Sequence, residues 1–268
     1  MYVNDAAKRL TSFLDLTLNI QAVKFIEDPA DVPESALIAR EAFGHLSLCQ
    51  AFALVKRQGK TLYTDKSSEW CWAPVVGLGY AETGRETDCF LEISRRMGIQ
   101  DTEKADRFFE EFPRLPVGKY QGVLLAPAQS AGFEPDVLLI NCNNNFQLRT
   151  LLAAIKYKTG KRLEVHLDPV DSCMYTLVDA MIKKDYTVAI PDPGEQERAL
   201  SDRNEMIMAV PIEKLQDLLE GLDYLEKWHM AYHDFNAEMM FDFARPPFYN
   251  TVFESWGMGQ GKDWTSHQ

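Results

Sequence analysis

Between residues 119 and 227 the chain alternates apolar runs of strand length with amphipathic helical segments. The runs are "YQGVLLAPA", "PDVLLINC", "KRLEVHLD", "YTVAIPD" and "EMIMAVP". The helical segments are "NNNFQLRTLLAAIKYKTG", "DSCMYTLVDAMIKKD" and "IEKLQDLLEGLDYLEKWHMAYHDF". Short apolar runs bounded by turn residues are typical of buried strands, and their alternation with helices predicts a βαβ-type arrangement in which helices cover a sheet.

The residues before this region carry mainly helical signals. "DAAKRLTSFLDLTL" has helical spacing, "QAVKFIED" indicates one short strand, and residues 33–45 favour a helix. "SLCQAFALVKRQG" is the clearest helix, because Ser47 and Gln50 have capping-box spacing and Gly59 is a typical stop.

These patterns predict the α/β class, with a mixed α+β arrangement as the alternative. We expect one core over residues 1–242, in which a helical part (about 1–115) precedes a βα-alternating part (about 116–242) around a central sheet. Residues 243–268 form an aromatic-rich C-terminal tail with little periodicity.

The composition narrows the classes of partner. The net charge is −12 and the pI about 4.9, which argues against nucleic acid and anionic membrane surfaces as partners. No apolar run approaches the roughly 18 residues of a membrane span, and "MYVNDAAKRL" lacks a signal-peptide pattern. We therefore expect a cytoplasmic protein whose five cysteines stay reduced, so that metal binding or catalysis is favoured over disulfides.

Four cysteines stand at predicted helix starts, namely Cys49, Cys71, Cys142 and Cys173. Backbone N–H groups and the helix dipole stabilise a thiolate there, and the thiolate is the form that binds metals. Cys89 lacks this setting. The alternative is that these thiols are buried packing groups, since free cysteine is among the most buried residue types.

Other polar groups give weaker signals. His229 and His233 share a helix face near Glu238, which predicts either a metal site or a solvated surface. His166, in the predicted strand "KRLEVHLD", and Asp168 are only polar groups near cysteine-bearing segments, so no general acid–base pair stands out.

The stretches "CQAFALVKRQGKTLYTDKSSEWCWAPVVGLGY", "PDVLLINCNNNFQLRTLLAAIKYKTGKRLEVHLDPVDSCMYTLVDAMIKKDYTVAIP" and "EMIMAVPIEKLQDLLEGL" resemble the domain of unknown function 169 family of archaea and anaerobic bacteria. The resemblance covers roughly residues 20–225 and assigns Cys49, Cys71 and Cys173 to the cysteine positions of that family. Trp72 and Pro74 make the second cysteine segment bulkier than the family pattern. Membership implies no reaction, because the family has none assigned.

Two classes of function remain open. In the first, Cys49, Cys71 and Cys173 hold an iron–sulfur cluster of the [4Fe–4S] type, with Cys142 as a candidate fourth ligand. The protein would then be a redox protein or an oxidoreductase or lyase of anaerobic metabolism that acts on a small molecule, and zinc on the same thiolates is a variant.

In the second, the chain is a non-catalytic module that binds a small molecule between its two parts, and the cysteines merely pack. In either case we expect the aromatic tail to pack on a neighbouring surface, which predicts a homo-oligomer.

Overall fold

The structure is a computed structural model that describes residues 2–82, 89–96, 98–227 and 247–257. The chain divides into two compact units, residues 1–231 and 232–268. In the first unit the strands are β1 (Gln21–Ile26), β2 (Leu37–Ile38), β3 (Leu62–Asp65), β4 (Gly122–Pro127), β5 (Val137–Cys142), β6 (Thr187–Ala189) and β7 (Met206–Pro211).

The helices of the first unit are α1 (Tyr2–Leu14), α2 (Ala39–Phe43), α3 (Leu48–Gln58), α4 (Trp72–Gly77), α5 (Cys89–Arg96), α6 (Thr102–Glu111), α7 (Asn145–Thr159), α8 (Asp179–Lys183), α9 (Pro193–Arg198) and α10 (Leu215–Lys227). A π-helical turn, Met174–Val178, leads into α8. The described part of the second unit holds α11 (Pro247–Ser255). No described helix has the length and apolar character needed to span a bilayer.

The seven strands form one mixed sheet with the order β2-β3-β4-β1-β5-β7-β6, which confirms the α/β class with its central sheet. The βαβ-type arrangement is wrong, however, because only β2 and β3 pair in parallel and every other neighbouring pair is antiparallel. Periodicity along the chain indicates where strands form, but it does not encode the direction in which they pair.

The N-terminal part contributes more to the sheet than its helical signals suggest. It supplies β1, β2 and β3, and β1 lies at the centre of the sheet between β4 and β5. The helix expected over 33–45 is reduced to α2, which follows directly on β2.

The strand expected at "KRLEVHLD" is wrong, since residues 161–168 have no regular secondary structure. These residues pair with no described strand, so no sheet satisfies the hydrogen bonds of their backbone N–H and C=O groups. The side chain of His166 is 68% exposed and lies within hydrogen-bonding distance of Lys183 Nζ. His166 is therefore a surface group and not a sheet histidine.

Both faces of the sheet are buried, and each face has its own core. One face contacts α3, α4 and the π-helical turn, and the other contacts α1, α7 and α10. Alternate residues of each strand enter different cores, as the two-residue period of a strand requires: Val137 and Leu139 enter the first core, whereas Leu138 and Ile140 enter the second.

Candidate functional site

A cavity of about 440 Å³ lies against the core that contains α3, α4 and the π-helical turn. Cys49, Cys71 and Cys173 all line it, although they are far apart in the sequence. Further lining residues are Ser47, Trp70, Trp72, Asp171, Asp192 and Arg198. The volume lies within the range of small-molecule sites, about 300–1,000 Å³. We call this cavity the thiol pocket.

Cys49 reaches the pocket from the first turn of α3. Ser47 and Gln50 form the capping box that their spacing predicts, and the Gln50 side chain accepts a hydrogen bond from Ser47 N at 3.1 Å. The Ser47 hydroxyl lies 3.1 Å from Cys49 Sγ. Gly59, with a φ of 67°, ends the helix in the left-handed conformation.

Cys71 reaches the pocket from the residue before α4. Glu69 Oε1 accepts hydrogen bonds from Trp70 N at 3.0 Å and Cys71 N at 2.9 Å, which orders the turn. A Cβ atom on Gly77 would lie only 2.1 Å from the sulfur of Met174. The bare glycine therefore lets α4 pack closely on the π-helical turn, which follows Cys173.

Cys173 is buried at the start of the π-helical turn. Asp171 has a φ of 58°, and its carbonyl oxygen accepts a hydrogen bond from Met174 N at 2.8 Å. Thr176 donates a side-chain hydrogen bond to the carbonyl oxygen of Ser172. The backbone at Asp171 thus turns the chain so that both Asp171 and Cys173 line the pocket.

Burial disfavours the thiolate form of all three thiols of the pocket. Burial raises the pKa of Cys49, that of Cys71 to about 12 and that of Cys173 well above its ordinary value. The nearby carboxyl groups of Glu69 and Asp171 raise the pKa of Cys71 further. The expectation that helix starts would stabilise thiolates is therefore wrong for the protein without a bound cation. Burial raises the thiol pKa values by more than the backbone N–H groups lower them.

The pKa values of these two carboxyl groups are raised as well. Burial raises the pKa of Glu69 to about 7 and that of Asp171 to about 7. Among the described residues that line the thiol pocket, Arg198 is the one cation. The pocket consequently concentrates groups that become anionic and offers little positive charge to balance them.

The donor atoms surround the pocket without meeting at one point. In the part of the chain that the structure describes, no three His, Cys, Asp or Glu side chains are placed to hold a single metal ion. Ligation of one small ion would therefore require these side chains to rotate toward each other.

A buried ion-pair network lies behind the thiol pocket. Lys56 of α3 is fully buried, and its Nζ lies 2.8 Å from Glu205 Oε2, 2.8 Å from Ser201 Oγ and 3.5 Å from Glu195 Oε1. Ser172, the neighbour of Cys173, donates a hydrogen bond to Glu195 Oε2 at 2.8 Å. The network thereby connects α3, α9 and the segment that carries Cys173.

Sequence reasoning missed this network. A lysine near the C-terminus of a helix ordinarily interacts with the helix dipole at the surface. Lys56 lies on the same helix face as Leu48 and Phe52, and this spacing is the signal that could have indicated its burial.

Cys142 does not line the thiol pocket. It is fully buried in the core on the opposite face of the sheet, and burial raises its pKa to about 12. The side chain of Cys89 lies outside the described residues, as do His229, His233 and Glu238, so the histidine hypothesis stays a prediction.

Comparison with known proteins identifies the family of the chain but assigns no reaction to it. A family model, DUF169, described as "Uncharacterised ArCR", matches residues 9–221. The chain is 22% identical over 227 residues to the uncharacterised protein MJ0308 of Methanocaldococcus jannaschii. The aligned region makes up 84% of this chain and 95% of that relative. No solved structure matches the chain.

Proposed function

The chain belongs to the DUF169 family, which is described without a reaction, so we propose the function of the protein from the thiol pocket. In this proposal Cys49, Cys71 and Cys173 hold a [4Fe–4S] cluster, and a small molecule enters the same cavity. The observation that carries this proposal is the convergence of three thiols from separate elements on one cavity. Cysteines that served only as packing groups would have no reason to share a cavity wall.

The raised pKa values of the three thiols favour metal binding over nucleophilic catalysis. A nucleophilic cysteine needs a lowered pKa, whereas burial raises the pKa of all three thiols. A bound metal centre offers the positive charge that the pocket lacks and displaces the thiol protons. The donor set, three sulfurs with carboxylate oxygens nearby, suits iron.

The spread of the donors favours a cluster over zinc. A zinc ion binds each thiolate sulfur at a Zn–S distance of about 2.3 Å, so the sulfurs that bind one zinc ion lie close to each other. A four-iron core is wider and holds its ligand sulfurs about 6–7 Å apart. Three thiols on the wall of a cavity of about 440 Å³ leave room for the wider centre.

A bound cluster would supply electron transfer, or a Lewis-acidic iron for substrate where no protein thiolate is bound. The protein's own contribution is to hold the three sulfurs and to form the pocket wall around the centre. Trp72 forms part of that wall, and its ring lies 5.1 Å from the ring of Phe112, centroid to centroid. We propose an oxidoreductase or lyase on this basis, located in the cytoplasm, where thiols stay reduced.

The alternative function is a non-catalytic small-molecule binder. Its support is that neutral thiols, aromatic walls and a volume of about 440 Å³ together suit an uncharged ligand without any metal. A thiolate zinc protein is the third reading, with the same three cysteines as ligands.

Purification without oxygen tests the proposal. We expect brown protein with a broad absorption shoulder at about 400 nm, the region of thiolate-to-iron charge transfer, and with bound iron and acid-labile sulfide. Colourless protein with stoichiometric zinc would support the zinc variant. Colourless protein without metal, even after loading with iron and sulfide, would leave the non-catalytic module as the better proposal.

We further propose that the C-terminal tail mediates a homo-oligomer. Phe248, Tyr249 and Trp256 of the second unit are 61%, 41% and 67% exposed. Burying an aromatic side chain stabilises by about 1.5–3 kcal/mol, so these side chains favour a contact with another surface. Truncation after Arg245 is expected to lower the mass measured by light scattering to that of the monomer. An unchanged mass would exclude the tail as the subunit contact.

A further inference from the structure

Asp171 has a buried carboxylate that no neighbour satisfies. Only 8% of the residue is exposed, and among the described residues its Oδ2 meets no hydrogen-bond donor. Buried polar atoms in proteins are paired in about nine cases of ten, so an orphan in a cavity wall calls for an explanation. Asp171 lines the thiol pocket beside the three cysteines, and its Oδ2 is itself covered, so a rotation of the carboxylate toward the cavity would give this atom a ligand of the pocket as partner.

The backbone at Asp171 is also unusual. Its φ of 58° is in the left-handed region, which residues other than glycine rarely adopt. Such conformations persist where the surrounding structure requires them. Here the turn places both Asp171 and, two residues later, Cys173 in the wall of one cavity.

The second aspartate of the pocket provides an internal comparison. Asp192 also lines the cavity, but its carboxylate accepts hydrogen bonds from Ser172 N at 3.1 Å and Glu195 N at 2.8 Å. It has a complete structural role at the start of α9. Asp171 has no such role, because its side chain caps no helix.

We propose that Asp171 is the fourth protein ligand of the metal centre and binds the iron that three cysteines leave open. The inference rests on the proposed function, since it assumes a cluster on Cys49, Cys71 and Cys173. With its fourth iron bound by Asp171 the cluster would serve electron transfer, so the inference favours the oxidoreductase over the lyase. A carboxylate oxygen is a common iron ligand, and the cation supplies the partner that Oδ2 lacks. Cys142 cannot take this place, because it lies in the core on the opposite face of the sheet.

The test compares iron retention in four proteins loaded anaerobically with iron and sulfide: the full chain, Asp171→Asn, Asp171→Gly and Asp168→Asn. Asparagine and glycine both tolerate the left-handed backbone, so the two Asp171 variants keep the turn and remove only the carboxylate. Asp168 is the matched control. It lies in the same loop, its Oδ1 accepts a hydrogen bond from Val170 N at 2.9 Å, and it does not line the pocket.

Each protein is treated with EDTA, and its iron, sulfide and circular dichroism are then measured. We expect both Asp171 variants to lose one Fe²⁺ per cluster while their sulfide content and far-ultraviolet circular dichroism stay unchanged. The full chain and Asp168→Asn should keep all their iron. Equal retention, or equal loss, in all four proteins would overturn the ligand role of Asp171 and leave the cluster proposal standing. If the full chain assembles no cluster, the proposed function fails and this inference fails with it.

Discussion

Cys71→Ser is expected to abolish binding of the iron–sulfur cluster that we propose, with iron per chain falling close to zero, while the chain stays folded. Cys71 is the residue before α4, a position where a serine hydroxyl is well tolerated. Serine is a poor ligand for a soft metal centre, because its hydroxyl is far less acidic than a thiol. The measurement is iron and sulfide content per chain, with absorption at about 400 nm, in protein prepared without oxygen.

The matched control is Cys142→Ser, the same change at a buried thiol on the opposite face of the sheet. That variant should keep its iron, even if the hydroxyl in the core makes it less stable. Equal iron content in Cys71→Ser and Cys142→Ser would refute the proposal that the thiol pocket holds the cluster. Cys49→Ser and Cys173→Ser should behave like Cys71→Ser, since all three thiols line the pocket.

Lys56→Met is expected to lower the free energy of unfolding by about 3–5 kcal/mol, the usual effect of breaking a buried ion pair from one side. Methionine fills a similar volume, so the effect arises from charge. Glu205 keeps its contact with Arg57 at 2.7 Å, whereas Glu195 loses Lys56, its one cationic partner among the described ion pairs. Urea unfolding at pH 7 measures the change.

Lys60→Met is the control for this experiment, because Lys60 is exposed and should change stability by no more than about 0.5 kcal/mol. The effect of Lys56→Met should also depend on pH. Burial already raises the pKa of Glu195, and removal of the lysine raises it further, so the folded variant binds more protons than the unfolded chain. The variant should therefore regain stability as the pH falls toward the ordinary range of glutamate. A loss below about 1 kcal/mol at pH 7 would contradict the prediction.

Local signals in the sequence predicted local structure well. The capping box of Ser47 and Gln50 and the stop at Gly59 are confirmed, because each depends on residues within one helix. The strand at "KRLEVHLD" and the βαβ-type arrangement failed, because both depend on which segments meet across the sheet. Pairing partners of β1 lie about a hundred residues away, and no local pattern contains that information.

The same distinction separates the residues of the candidate site. Cys142 carries the helix-start signal of the other three cysteines, but strand parity decides its location: it follows Leu138 and Ile140 by two-residue steps and so enters their core. The orphan oxygen of Asp171 and the ion partners of Lys56 are tertiary properties, which follow from packing between elements. Helical spacing places Lys56 on the apolar face of α3, but it does not indicate that Glu195 and Glu205 lie opposite.

The position of β1 in the sheet sets the order of events during synthesis. β1 is made early, but it pairs only with β4 and β5, which end at Pro127 and Cys142. At about 5–20 residues per second, a nascent chain leaves the ribosome with β1 unpaired for on the order of ten seconds, and such exposed strand edges are prone to aggregation. Cys173 emerges later still. Cys173 follows β5 along the chain, so the cluster that we propose cannot be completed before the strands that pair with β1 have been made. A chaperone that shields the first hundred residues would therefore raise the yield of loaded protein.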